Sequence, residues 1–155
     1  MEIRFAMAQD VPGIIKLLQQ MGSLHHEGRP DLFRGNAQKY GASQVMGMLG
    51  KQDAPVFVAV KENKVLGCCF CTIEHYHQQA VMRDHTTLRM DDICLSEEDR
   101  GQCVGNAIFD EILKYAKYRG CYNVTANVWS CNESAMALCE SLGMKPQKVS
   151  MEAIL

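Results

Sequence analysis

Apolar residues along this chain change their spacing from two to three or four and back, and the secondary structure follows from that change. EIRFAM, residues 2–7, alternates as a first strand. Val11, Ile14, Ile15, Leu18 and Met21 then recur at helical spacing, with Asp10 as the N-cap and Pro12 in the first turn. GSLHHEGRPDLFRGNAQKYGA, residues 22–42, has no clean period and reads as a loop long enough to carry function. A short helix is expected at residues 44–49. PVFVAV and KVLGCCFCTIEHYH flank a tight turn at residues 62–64 and form a hairpin.

After a polar connection, LRMDDICL (residues 88–95) is a further strand. VGNAIFDEILKYAKYRG carries Val104, Ala107, Ile108, Ile112, Tyr115 and Ala116 on one helical stripe, and Gly120 ends it. YNVTANVW alternates again, with Val124, Ala126 and Val128 on one face. Ser130 and Glu133 have capping-box spacing before the helix ESAMALCESLG, Asn132 is a rival cap, and Gly143 closes the helix. QKVSMEAIL (residues 147–155) reads as a terminal strand, and its exposed edge is expected to pair across a homodimer. The order is βα, a hairpin, then βαβαβ. It predicts an α/β protein with one domain, residues 1–155, in which helices flank a mixed β-sheet.

Composition narrows the function classes. The 155 residues are 47% apolar and 22% charged, which suits a soluble globular domain. A formal charge of -2 offers no basic field for nucleic acid. No apolar run approaches a membrane span, and the N-terminus lacks the pattern of a signal peptide, so the expected location is the cytoplasm. Eight cysteines without an export signal are not a disulfide framework. Cys68 and Cys71 have C-x-x-C spacing but lie on a strand. There Cys69 and Cys71 share a face and Cys68 points away, so no metal site is expected.

One junction stands apart. In DDICLSEEDRGQCVGNAIFDEIL, residues 91–113, a strand passes into a helix through Arg100, Gly101, Gln102, Cys103, Val104 and Gly105. The first N–H groups of a helix lack intrahelical acceptors and carry partial positive charge, so this turn is either a phosphate cradle or only a corner. It matches neither G-x-x-x-x-G-K-[ST] nor G-x-G-x-x-G.

Its surroundings decide between the two. The segment DDICLSEEDRGQCVGNAIFDEILKYAKYRGC resembles the pantetheine strand and pyrophosphate loop of the GNAT N-acetyltransferases. NVWSCNESAMALCESLGMKP resembles the strand and helix that follow in that superfamily, and EIRFAMAQDVPGIIKLLQQM is similar to its opening. The resemblance implies the GNAT fold and transfer of the acetyl group of acetyl-CoA to a primary amine by direct attack. It implies that Ile93, Cys94 and Leu95 pair with the pantetheine arm. Arg100, Gly101, Gln102, Cys103, Val104, Gly105 and Asn106 would take the pyrophosphate, with Asn132 near the cofactor. Two departures stand out. Cys103 replaces the first glycine of Q/R-x-x-G-x-G/A, and Cys139 stands where relatives usually carry a tyrosine that protonates the leaving thiolate.

The acceptor amine must lose a proton before it attacks. The resemblance points to Asp91 as base with Asp92 next, and strand alternation sends the two to opposite faces. A backbone N–H near Leu95 would polarise the thioester carbonyl. His25, His26 and Glu27 in the loop, with His75 and His77 on one strand face, are the expected acceptor contacts. The alternative function is a CoA-binding module with lost or impaired transferase activity, which Cys103 and Cys139 would explain.

Overall fold

The structure is a computed structural model that describes residues 1–99 and 103–155. Its elements are β1 (Glu2–Phe5), α1 (Val11–Gly28), α2 (Ala42–Met48), β2 (Val56–Lys61), β3 (Lys64–Tyr76), β4 (His85–Leu95), α3 (Val104–Tyr118), β5 (Asn123–Ala126) and α4 (Glu133–Ser141). The strands form one sheet in chain order, antiparallel from β1 to β4, with β5 added parallel to β4. Glu62 and Asn63 join β2 to β3 with φ of 51° and 63°, the left-handed pair that matches the twist of a two-residue hairpin.

Helices cover both faces of the sheet. Ile14 and Leu18 of α1 and Val45 of α2 pack with Val58, Cys68, Phe70 and Cys94. Ile108 and Ile112 of α3 pack with Phe57, Cys69, Cys71, Leu88 and Met90 on the other side. The cysteines of β3 therefore divide between two cores, as alternation predicts. Among the described residues no cluster of histidine, cysteine and carboxylate side chains converges to hold a metal, and no helix is long and apolar enough to cross a membrane.

Four expectations are corrected. Helix α1 runs seven residues beyond Met21, to Gly28, so His25, His26 and Glu27 are helical rather than loop residues. Gly22 and Gly28 look like helix breakers in sequence, but here they permit close approach. A Cβ at Gly22 would stand 2.0 Å from the Ala37 carbonyl oxygen, and one at Gly28 would stand 2.8 Å from Cys131 Sγ. Asp10 makes no side-chain cap to α1; its carboxylate is buried and accepts from Arg4 Nη1 at 2.6 Å and from the Met7 amide at 2.7 Å. Asn132, not Ser130, caps α4. Finally, residues 145–155 form neither helix nor strand. Val149 and Met151 alternate as a strand would, yet they are 74% and 86% exposed because, among the described residues, no sheet edge or apolar face receives them. The strand expected to pair across a dimer is thus absent from this chain.

Candidate active site

The site begins with one extra residue in β4. Phe70 of β3 stands opposite Asp92, and Cys71 stands opposite Met90, so Asp91 has no register partner of its own. Such a bulge turns two successive side chains toward one side. Asp91 accepts from Thr72 Oγ1 at 2.6 Å and from Arg89 Nε at 2.6 Å. Asp92 accepts from Lys39 Nζ at 2.7 Å. Thr72 shares the face of Phe70, which packs in the α1 core. Both carboxylates therefore face α1. The expectation of opposite faces fails because simple alternation does not count the bulge.

Next to the bulge the sheet opens. Strand β5 pairs with β4 only from Thr87 to Met90. From Ile93 to Leu95, β4 keeps β3 on one side and, among the described residues, has no strand on the other. The Ser96 amide donates to the Leu66 carbonyl at 2.8 Å, which sets the alternation of hydrogen-bonded pairs. By that alternation Cys94 turns its backbone to β3, whereas Ile93 and Leu95 turn theirs to the open side. Gln20 confirms the direction from α1, since its Nε2 donates to the Leu95 carbonyl at 2.9 Å. Sequence reasoning missed Gln20, because one amide on a helix face carries no motif.

A cleft of about 240 Å³ lies against this opening, between α1, the α1–α2 loop, β4 and the start of α4. His25, Lys39, Arg89, Asp91, Asp92, Ile93, Trp129 and Asn132 line it. A larger hollow of about 520 Å³ lies at the far edge of the sheet beside Met1, Glu2 and the β2–β3 turn, away from the bulge and the opening.

Residues 18–144 match the model of the Acetyltransferase (GNAT) family. This chain belongs to that family. Solved structures share its fold. A tetramutant of the BH1408 protein from Bacillus halodurans matches at TM-score 0.94 with 29% identity, over 100% of both chains. A putative acetyltransferase from Agrobacterium tumefaciens matches at TM-score 0.74 and 18% identity, over 100% of both chains. The aminoglycoside N-acetyltransferase AAC(6')-Iy in complex with CoA shares the fold at TM-score 0.71 and 12% identity, over 99% of this chain and 98% of that one. No curated protein matches.

Seen as a GNAT chain, the junction after β4 acquires a clear geometry. Cys103, at the N-cap of α3, is exposed and has φ 53° and ψ 27°, the left-handed conformation that glycine adopts without strain. The amides of Val104, Gly105 and Asn106 follow in the first turn. Arg100, Gly101 and Gln102, expected beside them, lie outside the described residues. Gly105 has a packing duty. A Cβ there would meet Leu138 Cδ1 at 2.8 Å and Leu95 Cδ1 at 3.2 Å, so its small size lets α3 seat against β4 and α4. Asn132 Oδ1 accepts from the Ala135 amide at 3.1 Å and from Ser134 Oγ at 3.0 Å, which fixes it at the rim of the cleft.

The other expected residues divide. His25 reaches the cleft from the last turn of α1, its ring 4.9 Å from Phe33, which lies edge-on to Trp129 at 5.0 Å. Burial pushes its imidazole below the usual histidine value; Asp92 draws it up and Lys39 pushes it down again, with a net lowering. His26 Nδ1 lies 2.7 Å from the Phe33 carbonyl oxygen and holds the loop, and Glu27 is exposed. His75 follows Ile73 on the α3 face of the sheet, stacks on His77 at 6.0 Å and contacts Thr86 Oγ1 at 3.1 Å. Neither His75 nor His77 lines the cleft. Cys139 is 9% exposed on α4, outside the cleft lining, and burial pushes its thiol up.

Proposed function

We propose that this acetyltransferase is an acetyl-CoA-dependent N-acetyltransferase that moves the acetyl group to a primary amine by direct attack. One observation carries the reading. The edge of β4 from Ile93 to Leu95, which among the described residues has no strand beside it, begins at a cleft lined by Ile93, two carboxylates and a histidine that burial holds below its usual pKa. Acetyl-CoA supplies an activated acetyl thioester. The residues present suit it: an extended amide-rich arm can add to this edge of β4 as a strand would, taking the place of Gln20 at the Leu95 carbonyl, and a pyrophosphate suits the amides at the head of a fifteen-residue helix. Ile93 and Leu95 would hold the arm, Val104, Gly105 and Asn106 the pyrophosphate with Arg100, Gly101, Gln102 and Cys103 beside them, and Asn132 the rim.

Roles for the remaining side chains follow from their partners. Asp91 is tied to Arg89 and Thr72, so both of its carboxylate oxygens already accept hydrogen bonds. Asp91 and Asp92 thus serve best as the anchor for an ammonium. His25, already neutral, takes the proton before attack. The Ile93 and Leu95 amides polarise the carbonyl that is attacked. Cys139 keeps its proton at neutral pH and is the proposed donor to the departing thiolate.

A CoA-binding module with impaired transfer is the second reading, favoured by the left-handed Cys103 and the buried Cys139. Thiol release from acetyl-CoA, followed over a panel of primary amines, separates the two. An active transferase releases thiol with at least one amine, and Cys139→Ala releases it more slowly at unchanged acetyl-CoA affinity. Saturable acetyl-CoA binding without release from any amine would leave the second reading standing.

A further inference from the structure

The cleft already contains a primary amine. Lys39, in the α1–α2 loop, places Nζ 2.7 Å from Asp92 Oδ2, and the Asp92 side chain is only 8% exposed. Nζ also lies 5.3 Å from the centre of the Tyr40 ring, which packs on Phe70 at 5.4 Å. The same loop lies against α1 through the Ala37 carbonyl at Gly22. These contacts hold the loop on the sheet and its amine beside the bulge. Lys16 and Lys114, by contrast, have side chains 73% exposed on outer surfaces.

We propose that Lys39 occupies the seat of the acceptor amine and is itself acetylated there, in an intramolecular reaction that competes with transfer to an external amine. The inference rests on the reading above, that acetyl-CoA binds at the open edge of β4. Lys39 first gives up one proton to His25 or to solvent. Its nitrogen then forms a bond to the acetyl carbonyl carbon, and the carbon–sulfur bond breaks with its electron pair leaving on the coenzyme A sulfur. The sulfur takes its proton from Cys139, the donor proposed above, and the second nitrogen proton restores that thiol through solvent. Acetyl-Lys39 is a neutral amide, so its ion pair with Asp92 is lost and the carboxylate is freed for another ammonium.

Several charged or titratable groups face Lys39: Asp91, Asp92 and Arg89 from β4, His25 from α1 and Tyr40 from its own loop. Burial works to lower the ammonium's pKa, but Asp92 outweighs it and the net shift is upward. Self-acetylation therefore accelerates as pH rises. An exposed lysine reacting without the site would be favoured over Lys39 at every pH, because it is neither held at a buried carboxylate nor partly covered.

The test incubates the intact chain with acetyl-CoA and no acceptor, then maps acetylated peptides by mass spectrometry. The expected result is one acetyl group on Lys39, ahead of Lys16 and Lys114. Its rate constant should not depend on protein concentration, and thiol should be released in equal amount. Lys39→Arg should reduce the reaction to background while keeping the melting temperature. Lys39→Gln, which imitates the acetylated side chain, should melt lower with no acyl donor present, since the buried Asp92 carboxylate then loses its ion-pair partner. Acetylation spread over lysines in order of exposure would overturn the proposal. So would an unmodified Lys39 in a protein that acetylates external amines, and in that case the functional reading survives. No acetylation, no turnover with any amine and no thermal stabilisation by acetyl-CoA would remove that reading as well.

Discussion

Cys103 and His25 each carry a consequence of a single side chain in a particular backbone or solvent environment. The left-handed region costs an ordinary residue about 1–2 kcal/mol, part of which glycine returns as extra unfolded-state entropy. Cys103→Gly should therefore stabilise the fold by about 0.5–1 kcal/mol in urea titrations. It should also tighten acetyl-CoA binding, because the amides of the turn then relax around an anion without strain. A destabilised Cys103→Gly would mean that the thiol makes a contact worth more than the strain.

For His25 the sign is set by its lowered pKa. A general base works in its neutral form, so activity should persist as pH falls below the usual imidazole value of about 6.5 and fail only under the folded-state pKa. With an acceptor of low pKa, His25→Ala should lose about a hundredfold in kcat/KM and the acid limb with it. An acid limb that survives in His25→Ala and disappears in Asp91→Asn would hand the role to Asp91. The same lowering makes stability pH-dependent. The unfolded chain binds the extra proton first, so His25's contribution is intact above about pH 6.5 and declines as pH falls toward the folded value.

At the scale of elements, the chemistry depends on how β4, α3 and α4 meet. Gly105 sits at that junction, where an added Cβ would meet Leu138 and Leu95. Gly105→Val should cost about 1–3 kcal/mol by overpacking and should weaken acetyl-CoA only in consequence. A fully stable Gly105→Val would show that the helices can part freely. This junction also marks the limit of what sequence could tell. Periodicity found β2, β3, β4, α3 and the two-sided cysteine pattern of β3, because each element buries a regular stripe. It could not find the bulge at Asp91, since one inserted residue leaves the apolar pattern of β4 almost unchanged while reversing the face of a carboxylate. It also ended α1 before Gly22, which instead marks a close approach of the loop to the helix.

Across the whole molecule, helices cover both faces of the sheet, and β4 is left open beyond its pairing with β5 among the described residues. That opening unites residues far apart in sequence: Gln20 and His25 from α1, Lys39 from the loop, Asp91 to Leu95 from β4, and Asn132 from the cap of α4. Sequence singled out His25, Asp91, Asp92 and Asn132 because each sits in a motif or a loop-like stretch. Lys39 and Gln20 were invisible, since only the tertiary fold turns them inward. The terminal segment shows the opposite failure. Its alternation promised a strand, but a strand needs a partner edge, and among the described residues none reaches residues 145–155.

The central claim is that acetyl-CoA completes the sheet at the open edge of β4. Amide hydrogen exchange, measured residue by residue with and without acetyl-CoA, tests it most directly. Protection should rise at Ile93, Leu95, Val104, Gly105 and Asn106. Cys94 should change little, because its amide already faces β3. Unchanged exchange at Ile93 and Leu95 under saturating acetyl-CoA, or protection confined to another face of the sheet, would contradict the account.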